Sequence, residues 1–215
     1  MNQEAYYRLI YEQLRGEVET SMWGYELLGT DVYHLVACFH LYSMLGWLVE
    51  SIYMSICNRK LTNRGFAKGP FCPIYGFGAV FGNWMLHPFA TNKLALYFVG
   101  AVIATTFEFI VAKLMQRVLG SVWWDYNEKP FNYKGIICLE STVAWGFYAI
   151  IVVGFLNDRI IEAVNKVPLL VGIRMCEVIL VVYAIDFTIA FAKAKGFDRD
   201  ELHEISESIQ RRIGR

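Results

Sequence analysis

Charge is scarce in this chain and balanced where it occurs. Of 215 residues only 19% are Asp, Glu, Lys or Arg, and the formal net charge is zero. No basic run interleaved with aromatics is present, which excludes nucleic acid as a partner. The five cysteines, Cys38, Cys57, Cys72, Cys138 and Cys176, include no C-x-x-C pair and no zinc-ligand spacing, and four read as small packing residues in or beside apolar blocks. The phosphate-binding pattern G-x-x-x-x-G-K-[ST] occurs nowhere, so the chain brings no nucleotide loop of that kind. His34, His40 and His87 lie too far apart for a helical metal pair and read as interface or packing residues. No Ser-His-Asp or Cys-His spacing emerges either. No metal and no cofactor is predicted. The first thirty residues carry Glu4, Glu12, Glu17, Glu19 and Glu26 without an apolar core and cleavage site, so no signal peptide is expected.

What is abundant is apolar: 56% of the chain is hydrophobic and 16% aromatic. These residues gather into blocks near the ~20 residues that cross a bilayer. The pattern predicts an all-α, polytopic integral membrane protein with five transmembrane helices at roughly 32–57, 74–90, 94–116, 136–156 and 168–192, within a membrane domain at 32–192. Residues 1–31 read as an amphipathic segment, with Tyr7, Leu14 and Val18 at helical spacing. Residues 193–215 read as a charged cytoplasmic helix with Leu202, Ile205, Ile209 and Ile213 on one stripe. The second span is the weakest, being short and carrying Gly76, Gly78, Gly82 and Asn83. Its Gly78 and Gly82 are spaced for close approach of another backbone.

Basic residues near span ends set the orientation. With five spans, Arg59, Lys60, Arg64, Lys68, Arg117, Lys129, Lys134, Lys193, Lys195 and Arg199 share one side, against Arg15, Lys93, Arg159 and Lys166 on the other. The amino terminus is then outside and the carboxyl terminus cytoplasmic. The alternative, a re-entrant hairpin at the second segment, leaves four spans and removes the bias altogether.

In this arrangement Glu50, Glu108, Glu140 and Asp186 fall roughly 6 to 13 Å from the cytoplasmic ends of four different spans, at 1.5 Å per residue. A carboxylate at such depth costs on the order of 3 kcal/mol or more, so each needs a partner or a watery cavity. One reading is a cytoplasm-open chamber lined by Glu50, Glu108 and Asp186 and covered by segment 63–78. There glycines allow tight backbone, prolines stop the helix and Arg64 offers a fork for a carboxylate or phosphate. The other is that each acid is a structural ion-pair partner or stays hydrated near the headgroups, the reading preferred for Glu140.

The runs GWLVE at 46–50, NRGF at 63–66, GPFCPIYGFG at 69–78, WDY at 124–126, PFN at 130–132, GIICL at 135–139 and WG at 145–146 carry a resemblance. The chain resembles the bacterial family labelled putative ABC-transporter type IV, the CmpB-like permeases. Glu50, Asn63, Arg64, Gly69, Pro70, Cys72, Pro73, Tyr75, Gly76, Asp125, Tyr126, Asn132 and Gly135 fall on its motif positions, and Glu108 on an acid of the third span. The resemblance implies a bacterial inner-membrane location and a permease role. Substrate or ion contacts are then expected at Glu50, Arg64, Glu108, Asp125, Tyr126, Asn132 and Asp186, with Asn63, Gly69, Pro70, Cys72, Pro73, Tyr75 and Gly76 forming the lid. Membrane lipid surrounds the chain, a separate nucleotide-binding subunit supplies any ATPase, and a homodimer completes the pathway. The alternatives are a membrane-embedded enzyme acting on a lipid headgroup or lipid-linked substrate, with Glu50 or Glu108 as base, or a non-catalytic accessory subunit. The balance of features is against an enzyme.

The orientation is testable directly. On a background without native cysteines, single cysteines in the tail after 192 and in the connection 157–167 are expected to react with impermeant reagents from opposite sides. Labelling of both from one side refutes the five-span arrangement.

Overall fold

The computed structural model describes residues 16, 18, 20–120, 122 and 124–195. The amphipathic helix expected within 1–31 lies almost wholly outside the described residues, and the tail helix expected within 193–215 lies outside them beyond Lys195. Ahead of the first long helix, Glu26–Leu27 (β1) pairs antiparallel with Thr30–Asp31 (β2) through Leu28 and Gly29. Both turn residues have positive φ, 55° and 81°, as a two-residue hairpin turn requires.

Helix α1 spans Val32–Asn58. Its start is fixed by Asp31, whose Oδ1 accepts the His34 N–H at 2.9 Å. It ends where Arg59 turns left-handed, at φ 51°. Helix α2, Pro73–Leu86, opens on a proline whose missing N–H is harmless in a first turn, and runs into a 3₁₀ turn at His87–Phe89. Helix α3, Lys93–Leu119, is capped by Asn92, whose Oδ1 accepts from the Leu94 and Ala95 N–H groups at 3.1 Å each. It stops at Gly120, φ 78°. A second ribbon, Asn132–Tyr133 (β3) with Ile137–Cys138 (β4), precedes helix α4, Leu139–Ile151. A π turn at Val152–Leu156 joins α4 to α5, Asn157–Asn165, and α6 covers Leu169–Ala194.

Among the described residues, four continuous helical stretches are long and apolar enough to cross a membrane: Val32–Asn58, Lys93–Leu119, Leu139–Asn165 and Leu169–Ala194. Helix α2 is not among them. Its 14 residues reach about 21 Å at 1.5 Å per residue, against a hydrocarbon core of about 30 Å. The connection expected after residue 156 is instead helical to Asn165. Asn157, Asp158 and Arg159 look like a loop in one dimension. Yet Ile160 and Val164, one turn apart, are buried against α1 and α6 with Tyr33, Ala37 and Ile173, so the polar residues occupy the outer face of an amphipathic helix.

Small residues set the helix approaches, as lipid-embedded packing requires. At Gly46 of α1 the Tyr75 ring occupies the place a Cβ would take, and at Gly76 of α2 the Ser43 hydroxyl and Phe39 do the same. Further along, Gly100 of α3 meets Ala149 of α4, and Gly146 of α4 meets Tyr97 of α3. Thr105 Oγ1 donates to Thr142 Oγ1 at 3.0 Å across that second pair. Gly78 and Gly82 do not play the part their spacing suggested. A Cβ at Gly78 would make only ordinary contact with Phe107, 3.7 Å away, and one at Gly82 would meet nothing within 4 Å. The rotation of α2 turns Gly76, one residue pair earlier, toward α1.

Gly46→Ala and Gly76→Ala are therefore expected to cost about 1–3 kcal/mol by overpacking, whereas Gly82→Ala is neutral or slightly stabilising because helical glycine is disfavoured by about 1 kcal/mol. Unfolding in detergent micelles measures the difference. Equal effects at all three positions contradict the assigned α1–α2 contact.

Candidate functional site

Polar residues recur along one face of α1 at Ser43, Trp47, Glu50, Ser51 and Ser55, spaced three and four apart. The connection 59–72 is laid along this stripe and stitched to it. Ser55 Oγ accepts the Thr62 N–H at 2.9 Å and Ser51 Oγ the Arg64 N–H at 3.3 Å. Trp47 Nε1 donates to Asn63 Oδ1 at 2.7 Å, and the Ser43 carbonyl accepts the Cys72 N–H at 3.0 Å. Asn63 also braces the segment itself, accepting the Gly65 N–H and donating to the Lys68 carbonyl. On the far side Asp186 of α6 accepts the Lys68 and Gly69 N–H groups at 3.3 and 2.7 Å. A Cβ at Gly69 would stand 2.9 Å from that carboxylate, so glycine permits the approach. Phe66 packs on Phe187 and Phe71 on Tyr183, with ring centroids 5.1 Å apart in each pair.

Beneath this cover, Glu50 is held from both sides. Arg64 Nε donates to its Oε2 at 3.2 Å and the Tyr75 hydroxyl to its Oε1 at 2.6 Å. The ion pair is partly accessible, with side-chain exposures of 31% for Arg64 and 32% for Glu50. Pro70 and Pro73 bracket Phe71 and Cys72, both buried. Burial, and then the nearby Glu50 carboxylate, push the Cys72 thiol up to about 12, which keeps it inert as a nucleophile at neutral pH.

Among the described residues, Glu108, 4% exposed, is answered by neutral donors alone. Tyr126 donates its hydroxyl to Oε1 at 3.0 Å, while Ser141 Oγ and Trp145 Nε1 donate to Oε2 at 3.3 and 3.0 Å. Tyr126 reaches it from the loop between α3 and α4, and burial together with the Glu108 carboxylate raises the hydroxyl above its ordinary value. The rings of Tyr75, Trp145 and Tyr148 pack together at 5.5–6.4 Å between centroids. The tyrosine that holds Glu50 thus touches the tryptophan that holds Glu108.

The rest of that loop binds itself. Asp125 Oδ1 accepts the Asn127 N–H at 2.9 Å. Asn132 donates to the carbonyls of Asn127 and Lys129 at 3.2 and 2.8 Å and accepts the Gly135 N–H at 3.0 Å. Trp124 Nε1 donates to the Ile136 carbonyl at 2.8 Å. Glu140 pairs with exposed Lys129 at 2.9 Å, the ion pair that its place at the start of α4 suggests. Of the residues singled out from sequence, the structure joins Glu50, Arg64 and Tyr75 directly and Glu108 with Tyr126. It sets Asp186 against the cover's backbone and engages Asp125 and Asn132 in turns of their own loop. Trp47, Ser51, Ser55 and Ser141 were not foreseen. The three-and-four recurrence of polar groups within an apolar span is the signal that marks the first three.

A family model described as "Putative ABC-transporter type IV" matches residues 37–191. That is well over half of the chain, so the chain belongs to this family. Neither a curated protein nor a solved structure matches it.

Truncating either member of the Glu50–Arg64 pair leaves the other half-buried without its counter-charge. Arg64→Met or Glu50→Gln alone is expected to cost about 1–3 kcal/mol, and the double variant less than the sum of the two. A double-mutant cycle read by unfolding measures the coupling. Strict additivity means the pair does not form.

Proposed function

We propose that this member of the family is a permease-like transport component of the bacterial inner membrane, lacking its own ATPase, whose working groups are Glu50 with Arg64 and Glu108 with Tyr126. One observation carries the reading: two carboxylates from separate helices are linked through the touching rings of Tyr75 and Trp145. Glu50 is partly accessible beneath segment 59–72, and that segment hangs on Asp186 through backbone N–H groups alone. Such a cover can lift without breaking an ion pair at α6. ATP-driven movement, where it operates, requires a separate nucleotide-binding subunit docked on the cytoplasmic connections.

The topology that goes with this reading has five spans, with the amino terminus outside and the carboxyl terminus cytoplasmic. Helix α2 counts as a span once its 3₁₀ turn at His87–Phe89 is included. The two together reach about 27 Å, close to the thickness of a thin bilayer. The asymmetry of basic residues, ten against four among those nearest the span ends, supports the same count.

The test separates work from scaffolding. Glutamine at either acid keeps the shape and one acceptor while offering an amide donor that the Tyr75 or Tyr126 hydroxyl oxygen is able to accept. Glu50→Gln and Glu108→Gln are expected to insert at normal abundance, to unfold within about 3 kcal/mol of the parent, and to fail to restore the phenotype of a deletion strain. Full complementation at matched protein level removes both carboxylates from the mechanism and moves attention to the cover and the 124–132 loop.

A further inference from the structure

Helix α6 has two unlike faces. One is committed to the chain: Gly172 receives the Tyr33 hydroxyl, Ile173 and Cys176 are buried, and Tyr183, Asp186 and Phe187 meet the segment over Glu50. The other face, Val171, Arg174, Val178, Val181 and Ile185, is exposed. These five positions are spaced three and four apart in strict alternation, the 3.5-residue period of a helix–helix seam. Four are β-branched and apolar, as either lipid or protein would accept. Arg174 is not.

Arg174 lies about 8 Å, and Glu177 about 12 Å, inside the start of α6. The guanidinium donates through Nη1 to Glu177 Oε2 at 2.7 Å, yet the arginine side chain is 80% exposed in the single chain. An arginine seeking the nearer headgroups would point back toward Leu169. This one points deeper, to Glu177. Charged groups at membrane depth face protein or water rather than lipid tails. Beside the pair, a shallow hollow of about 520 Å³ opens among Val171, Arg174, Met175, Val178 and Ile179, room for side chains of a facing helix.

We propose that this face of α6 is covered by the same face of a second copy of the chain, with Arg174 of each copy reaching Glu177 of the other. The charge pattern selects a like partner. Each helix carries one positive and one negative group three residues apart, and a twofold axis along the membrane normal sets identical helices at equal depth. The offset between Arg174 and its mate's Glu177 is then about 4.5 Å along the axis, well within an arginine's reach. A single polar position in an otherwise apolar seam also fixes register. The proposal takes from the transport reading only that the chain lies in a bilayer.

Cross-linking decides it without any transport measurement. In native membranes, with the five cysteines replaced, Val178→Cys and Val181→Cys are expected to form disulfide-linked dimers on mild oxidation. Val102→Cys, on the exposed face of α3, serves as the collision control and should link at least tenfold more slowly. Two differently tagged chains, one Arg174→Glu and the other Glu177→Arg, each bearing Val178→Cys, then probe the charges. Each carries like charges within itself but opposite charges to the other, so heterodimers are expected to exceed the share given by random pairing several-fold. Equal linking at positions 102 and 178, or random pairing of the two tagged chains, overturns the proposal. Should the charge variants fail to insert, the comparison of positions 178 and 102 stands alone and is decisive. Loss of complementation by Glu50→Gln together with random cross-linking would leave the transport reading intact and refute only the interface.

Discussion

A carboxylate carried to membrane depth must find its donors within the chain, because lipid offers none. Three acids of this protein meet that demand in three ways. Glu50 takes a guanidinium and a phenol, Glu108 takes a phenol, an alcohol and an indole, and Asp186 takes two backbone N–H groups. In each case at least one donor comes from a connection between helices. The acids therefore fix the loops as much as the loops satisfy the acids. Segment 59–72 lies where it does because Glu50 and its polar neighbours on α1 hold one side and Asp186 the other, and Tyr126 is drawn inward from a loop in which Asp125, Asn127, Asn132 and Gly135 bond one another.

The three solutions differ in what they leave undone. Arg64 neutralises Glu50, whereas Glu108 keeps whatever charge it has, since hydrogen bonds from neutral groups spread a charge without cancelling it. The site as a whole thus holds two acids and one base. Asp186 engages backbone rather than side chains, so the cover's position above the site is independent of most side-chain identities at 68 while strongly dependent on the absence of a Cβ at 69.

Much of the fold is legible in one dimension because lipid imposes a simple rule on the spans: length and apolarity. The blocks at 32–57, 94–116 and 168–192 match α1, α3 and α6 to within a few residues, and helix ends declare themselves at Asp31, Asn92 and Gly120 through capping chemistry. The rule fails where polarity belongs to an amphipathic surface rather than a loop, as at Asn157 to Arg159. It also fails for helix rotation. A G-x-x-x-G spacing names a face of α2 but not the neighbour it meets, and the contact falls on Gly76 because Ser43 and Phe39 of α1 stand opposite. For the site, depth marks Glu50, Glu108, Glu140 and Asp186, since an isolated charge in an apolar run is conspicuous. Their partners were less visible. Ser141 and Trp145 are ordinary residues of a span until α3 and α4 pack, and the local turns that occupy Asp125 and Asn132 follow from loop geometry that spacing does not reveal.

Tyr75 is where these strands meet. Its ring needs Gly46, its hydroxyl holds Glu50, and its face lies against Trp145, which in turn holds Glu108. Those contacts are with two other helices, α1 and α4, so the ring has no room to turn without disturbing α1, α4 or a carboxylate. In a close-packed interior such a side chain has discrete positions rather than a continuous range. A cation or proton arriving at Glu50 would compete with Arg64 and with the Tyr75 hydroxyl for the same two oxygens. Displacing the arginine would remove one of several ties between the cover and α1, and displacing the tyrosine would disturb its packing against Trp145. Coupling of the two acids would need no wire between them: Tyr75 holds Glu50 and packs on Trp145, which holds Glu108.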